Sequence, residues 1–283
     1  MQSKKISIAI PASVVSDTPH LREKTAKIGL IGRAAAIFRV DRIIIYPDRP
    51  RVNQTYDANE IAALLSYMET PQYLRKRLFH LEPNLQYAGI LPPLRTAHHP
   101  LNRQVKKLKI GECREAVTLS RTKLGMLIDM GVEQTALIMN RQLPANKRVT
   151  VKVVKKDPRI EVEIVDRESI PEYWGYSIVT EKHAFGEIVQ TKDFDVTIAT
   201  SKYGCPVNSV VDKVAEKWRT ASSILLAFGA PASGLNEIVK QEGLKLDDIV
   251  DFVVNMVPEQ GTETIRTEEA LIASLAVLNT LNL

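Results

Sequence analysis

Cysteine is scarce in this chain. Cys113 and Cys205 are the only two among 283 residues, they lie far apart, and neither belongs to a C-x-x-C pair. Neither a disulfide framework nor a Cys-based zinc site is expected, and a reducing cytoplasm is the natural compartment. No apolar run reaches the ~18 residues that a spanning helix needs, so no membrane partner is expected. Thirteen Gly and 15 Pro fall without a period, which excludes collagen-like and Pro-rich linker architectures. Histidine also gives no metal pattern: His20, His80 and His183 are isolated, and neighbours such as His98 and His99 face different ways on regular structure. That pair suits a loop or a phosphate contact better than a metal. Lys4 and Lys5 ahead of the apolar stretch Ile6 to Val15 faintly resemble a leader, but Pro11 and Ser16-Asp17-Thr18 interrupt it, and a buried strand over Ile6 to Ile10 is expected instead.

What is present fits a folded protein of one large domain or two: 45% hydrophobic and 25% charged residues. The net charge is +5, and its location says more than its size. Leu91 to Ile170 holds 16 basic and 9 acidic residues, a net of +7, which leaves the rest of the chain at −2. A segregated basic segment suits a polyanion, because Lys and Arg displace counterions from a phosphate backbone; the alternative is a solvated surface that happens to be basic.

The two ends read as α/β. Short apolar runs at Arg42–Tyr46, Asp195–Thr200, Ser223–Phe228 and Val250–Val254 are expected strands. Helical patterns run over His20–Phe38 with Thr18 as cap, from a capping box at Asp57–Glu60 through Met68, and over Gln72–Phe79, Val207–Trp218, Gly234–Gln241 and Thr267–Leu281. Strands alternating with helices predict a mostly parallel sheet covered on both faces. The middle is different. Cys113–Ser120, Leu124–Met130, Thr135–Asn140, Arg148–Val154 and Ile160–Asp166 read as five strands with no long helix among them. Five basic strands predict a small β-barrel of the OB type, inserted as residues 93–168 into a host made of 1–92 and 169–283. A structural insertion or a dimer contact is the competing reading. Two lysine-rich clusters, Lys106, Lys107 and Lys109, and Lys155, Lys156 and Arg159, are candidate phosphate contacts.

Three segments after the expected strands can carry chemistry: Thr200–Gly204, Gly229–Gly234 and Asn255–Glu269. A glycine turn between strand and helix offers backbone N–H groups to an anion or nucleotide. Gly229 and Gly234 have the P-loop spacing, but Leu235 and Asn236 stand where Lys and Ser/Thr are required, and no G-x-G-x-x-G occurs, so neither an NTPase nor a dinucleotide enzyme is supported. Thr267 is the expected cap of the last helix, and that role explains Glu268 and Glu269.

The segments FGAPASGLNEIV at 228–239, NMVPEQGTETIRTEEALIASLAVLN at 255–279, GRAAAIFRVDRIIIY at 32–46, PQYLRKRLF at 71–79 and LPPLRTAHHP at 91–100 resemble the SPOUT class of methyltransferases. More closely, they resemble its archaeal and eukaryotic branch of RNA methyltransferases with an OB-like insertion. The resemblance covers nearly the whole chain in order. It implies a C-terminal trefoil knot, S-adenosylmethionine bound in that knot, and a homodimer. It places Thr200, Ser201 and Gly204 in the first cofactor loop, Gly229 and Gly234 in the second, and Asn255, Gly261, Thr262 and Thr264 in the third. It aims Arg33 at the substrate across the dimer. Arg266 either holds a nucleotide phosphate or pairs with Glu263 or Glu269. The apolar repeat Leu271, Ile272, Leu275, Leu278 and Leu281 is expected to pack partly inward and partly against a second copy. The implied function is RNA methylation, of rRNA or tRNA. The competing reading is an RNA-binding assembly factor on the same fold, and titration with S-adenosylmethionine separates the two.

Overall fold

The β-branched runs at the two ends of the chain meet in one sheet. A computed structural model describes residues 4–191 and 194–282. The chain divides into two units, one of Met1–Ser66, Tyr87–Pro92 and Tyr176–Leu283, the other of Tyr67–Gln86 and Pro93–Gly175.

The first unit holds β1 (Lys5–Pro11), β2 (Arg42–Tyr46) and, after five strands of the second unit, β8 (Ser177–Thr180), β9 (Val196–Pro206), β10 (Ser223–Ala227) and β11 (Phe252–Asn255). Their order across the sheet is β11-β9-β10-β1-β2-β8. Every pairing is parallel. The first strand of the chain therefore sits inside the sheet, and Ile8, Ala9 and Ile10 are fully buried. Such burial on both faces is why these strands read as continuous apolar runs rather than as alternation. On one face, Ala9, Ile44, Tyr46 and Leu225 pack against Phe185 and Ile188 of α4 (Phe185–Thr191), Ile238 of α6 (Leu235–Gln241) and Leu246 of α7 (Leu246–Ile249). The remaining helices of this unit include α1 (Leu21–Ile37), α5 (Val207–Thr220) and α8 (Thr267–Asn279), with α1 and α8 in mutual contact.

Local capping differs from the sequence expectation at three helices. Helix α1 begins at Leu21, and the Thr18 hydroxyl donates to Asp17 Oδ1 at 3.0 Å instead of capping it. Helix α2 spans Thr55–Glu69, and the Thr55 N–H donates to Asn53 Oδ1, so Asp57 lies inside the first turn and no capping box opens there. Helix α8 is preceded by Arg266, whose backbone N–H donates to the Glu269 carboxylate at 2.9 Å. Thr267 is already helical, and its hydroxyl donates to the Gly229 carbonyl at 3.2 Å. Strand β8 and helices α4 and α7 are additions to the elements expected from the sequence.

In the second unit, α3 (Gln72–Leu78) precedes β3 (Cys113–Thr122), β4 (Gly125–Asp129), β5 (Ala136–Met139), β6 (Arg148–Lys155) and β7 (Glu161–Ile164). These five strands close into a barrel in the order β3-β4-β5-β7-β6. All pairings are antiparallel except the parallel one between β5 and β7. Ala116, Met126, Ile128, Ile138, Val151, Val153 and Val162 fill the interior, as inward-facing alternate positions of a small barrel do.

Beside the barrel core lies a buried ionic cluster. Arg148 reaches Glu69 Oε2 at 2.6 Å through Nη1 and Glu115 Oε2 at 2.5 Å through Nε. Glu115 Oε1 also accepts from Thr150 Oγ1 at 2.7 Å and Trp174 Nε1 at 2.6 Å. His98 is fully buried, and the Nε2 atoms of His98 and His99 both face the Glu69 carbonyl oxygen, at 3.0 and 2.7 Å. The adjacent histidines thus converge rather than diverge, because residues 95–100 form no regular element. His98, with no exposure and both ring nitrogens engaged by Thr96 and Glu69, is closed to a phosphate. Burial pushes the Glu69 carboxyl up, but the His98 hydrogen bond and the Arg148 charge outweigh it and hold the group at about 2. Burial, with the charge of His98 second, pushes His99 down to about 4.

Candidate active site

Strands β9, β10 and β11 are neighbours in a parallel sheet, so residues 200–204 within β9 and the segments that follow β10 and β11 come together at one end of it. They surround a cleft of about 560 Å³ within the first unit. Crevices at the carboxyl ends of parallel strands are where α/β folds bind ligands.

The first segment, Thr200–Gly204, is a bulge and not a loop after the strand. Val253 pairs with Ala199, and the next residue, Val254, pairs with Cys205, so residues 200–204 leave the ladder and β9 resumes afterwards. Gly204 is small because a Cβ there would stand 2.7 Å from the Val253 carbonyl oxygen. Thr200 donates to the Ala227 carbonyl at 2.9 Å, tying the bulge to the end of β10. That end is also held by Tyr46, whose hydroxyl donates to the Phe228 carbonyl at 2.6 Å; burial raises its pKa well above the ordinary phenol value.

The second segment turns tightly, with the Ala230 N–H donating to Ser233 O at 2.8 Å. A Cβ on Gly229 would meet Gly234 Cα and Leu235 N, each at 3.0 Å, so the turn is tight around this glycine and a side chain there would press on the backbone of Gly234 and Leu235. The third segment is cross-tied to the first. Asn255 Nδ2 donates to Lys202 O at 3.1 Å, and Lys202 Nζ donates to Glu263 O at 3.4 Å. Inside the third segment, Gln260 Nε2 donates to Thr262 O and Glu263 O.

Thr200, Ser201, Gly229, Gly234, Asn255, Thr264 and Arg266 line the cleft; Gly204, Gly261 and Thr262 do not. A Cβ on Gly261 would meet nothing within 4 Å. Arg266 is exposed, and among the described residues its guanidinium has no carboxylate at ion-pair distance. Glu269 meets its backbone instead. Arg33 is half-buried on α1, outside the lining of this cleft.

Sequence reasoning missed Asp17, Glu237 and Ser274, which all line the cleft. Asp17 ends a run of tight turns after β1, and both its oxygens accept from Lys27 Nζ, at 2.8 and 2.9 Å. Partial burial raises the Asp17 pKa, but the Lys27 hydrogen bond and charge leave it below the ordinary carboxylate value. Lys27 is itself buried and lies 3.5 Å from Glu268 Oε2, so Glu268 belongs to an ion pair rather than to helix capping alone. The available signal was position: Ser16-Asp17-Thr18 follows the first strand just as the glycine turn follows β10 and the long segment follows β11.

In the second unit, Lys156 Nζ donates to Leu108 O at 2.7 Å and lies 3.4 Å from Lys106 O, which joins the two lysine-rich clusters into one patch. Within it, Lys155 and Arg159 both pair with Glu161, at 3.6 and 3.2 Å. Lys106, Lys107 and Lys109 are exposed. Among the described residues, no group of three His, Cys, Asp or Glu side chains could hold a metal ion, and no helix is long and apolar enough to cross a membrane.

A family model described as "Putative RNA methyltransferase" matches residues 5–278. The chain belongs to this RNA methyltransferase family. Among its relatives, an uncharacterized protein of Halobacterium salinarum is 31% identical over 96% of this chain and 98% of its own length. The 28S rRNA (uridine-N(3))-methyltransferase of Drosophila melanogaster is 31% identical over 96% of this chain and 61% of its own length. The human protein of the same name is 28% identical over 96% of this chain and 77% of its own length. The methyltransferase reading of the sequence is thereby borne out at the level of the family, and methyl transfer to RNA is the activity the cleft has to explain.

Proposed function

We propose that this RNA methyltransferase draws its methyl group from S-adenosylmethionine held in the cleft, and that its substrate is a uridine of ribosomal RNA, methylated at N3. The single observation that carries the reading is the cleft, built from three neighbouring strand ends in a chain whose relatives include uridine-N3 methyltransferases. The residues present suit such a ligand. Phe228, Met256 and Ala270 offer an apolar slot, and the glycine turn brings backbone N–H groups to its edge.

When bound, the sulfonium supplies an already activated methyl group, so the protein's work is alignment and handling of one proton. Uridine N3 loses its proton as it takes the methyl group. Asp17 and Glu237 are the two lining carboxylates that can accept that proton. Arg266, exposed at the lining, is the arginine available to hold a nucleotide phosphate bidentately. Thr200, Ser201, Asn255 and Thr264 hold the cofactor in this proposal, with Gly229 and Gly234 giving close backbone approach. Gly204, Gly261 and Thr262 shape the segments from outside the cleft.

The same proposal assigns a SPOUT fold with a C-terminal knot to the first unit and an OB-like, RNA-binding role to the barrel. The strand order of the barrel and its joined lysine patch support the second assignment. A homodimer is also proposed. Leu271, Leu275 and Leu278 are buried inside the protomer, whereas Ile272 on α8 is 40% exposed, and Leu30 and Ile37 on α1 are 47% and 55% exposed. An apolar face of this kind suits a second copy, with Arg33 on the same helix reaching the partner's cleft. The test is to incubate the protein with rRNA and S-adenosylmethionine carrying a labelled methyl group, then digest to nucleosides. Labelled 3-methyluridine is the expected product. Label on another nucleoside would overturn the substrate assignment, and no binding of S-adenosylmethionine would overturn the whole reading.

A further inference from the structure

The far wall of the cleft is one face of α8. Thr267, Ala270 and Ser274 line it, at the three- and four-residue spacings that place side chains on one side of a helix. Thr267 is satisfied by the Gly229 carbonyl. Ser274 is not. It is 0% exposed, and its Oγ has no hydrogen-bond partner among the described residues. A helical serine commonly returns its hydroxyl to the carbonyl four residues earlier, which here would be that of Ala270, and no such bond is made. A buried hydroxyl left unpaired costs free energy, so a polar atom that is absent in the free protein and present in the working complex is its natural partner.

We infer that Ser274 recognises the edge of the cofactor's adenine ring. This rests on the proposal that the cleft binds S-adenosylmethionine. The choice of adenine follows from what can pack against a buried, uncharged hydroxyl. The amino-acid end of the cofactor carries an ammonium and a carboxylate, which are expensive to desolvate beside the uncharged side chains of Thr267, Ala270 and Ser274. Adenine is uncharged and planar, and its edge carries both donors and acceptors that a hydroxyl can meet in either role. The apolar neighbours Phe228, Met256 and Ala270 suit its faces. Ser274 is then a specificity determinant of the cofactor site and takes no part in proton transfer.

The experiment titrates adenosine and S-adenosylhomocysteine into the parent protein and the Ser274→Ala variant, and records both melting temperatures without ligand. The inference predicts that the variant binds both ligands about three- to tenfold more weakly, the loss expected for one neutral hydrogen bond. The unliganded melting temperature stays the same or rises, since an unpaired hydroxyl has been removed. Parental affinity of the variant for both ligands would overturn the inference while leaving the cofactor proposal intact. Weakened S-adenosylhomocysteine binding with unchanged adenosine binding would move Ser274 to the amino-acid end and overturn the adenine assignment. A lowered melting temperature with unchanged ligand affinities would make the hydroxyl structural. A parent that binds neither ligand would sink the cofactor reading itself, which is a different failure.

Discussion

The cleft of the first unit and the barrel of the second use charge in opposite ways. The cleft is built from backbone, hydroxyls and glycines. Asp17, Glu237, Lys202 and Arg266 are the charged side chains at its lining, and Asp17 is tied to Lys27. The second unit carries most of the basic excess, yet a good part of it is spent inside. Arg114 is fully buried and bonded to Glu112, Arg148 spans Glu69 and Glu115, and Arg167 pairs with Glu69. The lesson is that the 16 basic residues of Leu91–Ile170 overstate the cations free to meet a polyanion. The cations free of carboxylate partners in the lysine patch are few, and Lys106, Lys107 and Lys109 carry the proposed RNA contact.

The comparison breaks most visibly at Arg148. Replacing it with Met leaves Glu115 buried without its cation and strips Glu69 of one of its two arginines, which costs about 3–5 kcal/mol. Denaturant unfolding should show that loss, while the affinity of the cleft for S-adenosylmethionine under folding conditions stays parental. A stability loss below about 1 kcal/mol would mean that water replaces the pair easily.

Acid should reach the second unit through the same cluster. His99 is held at about 4, below its ordinary value of 6.5, so it is neutral in the fold and takes up a proton on unfolding. Stability therefore falls as pH drops from about 6.5 to 4. Glu69 is held at about 2 against an ordinary 4.5, and its contribution is present above 4.5 and lost as pH falls from there to about 2. Thermal melts across this range should show both arms, and His99→Gln should remove the upper one. A melting profile unaffected by that substitution would show that His99 is solvated.

Two glycines outside the cleft lining sharpen the contrast within the first unit. Gly204→Ala drives a Cβ to 2.7 Å from the Val253 carbonyl oxygen and should cost about 1–3 kcal/mol in a melting experiment. Gly261→Ala meets open space and should stay within about 0.5 kcal/mol of the parent. Equal effects would mean that the bulge of β9 relaxes freely.

Much of this was legible in the sequence because it is local. Arg42–Tyr46 was read with the boundaries it has, and all five barrel strands were located, since alternation and apolar runs are properties of neighbouring residues. What was missed depends on distant partners. Thr200–Gly204 reads as a turn because it is polar and ends in glycine; that it is a bulge follows from pairing with residues 253 and 254. His98 and His99 read as a loop or phosphate-contact pair, and their convergence on Glu69 depends on a residue about thirty positions away. Asp17 reads as a loop aspartate until Lys27 and the cleft are seen around it. The family resemblance singled out three segments for the proposed cofactor site, and their meeting in one cleft needed the strand order of the sheet.

The most direct test of this division of labour measures two affinities on two variants. One variant is Gly229→Val, which forces open the turn between Gly229 and Gly234. The other replaces Lys106, Lys107 and Lys109 with Gln. S-adenosylmethionine is titrated calorimetrically, and binding to an rRNA fragment is measured across a salt series. The account predicts that the glycine variant loses the cofactor and keeps RNA affinity. The lysine variant should keep the cofactor, bind RNA more weakly, and lose up to about one unit of log–log salt slope per lysine. A lysine variant with parental RNA affinity and slope, or a glycine variant that binds the cofactor as the parent does, would contradict it.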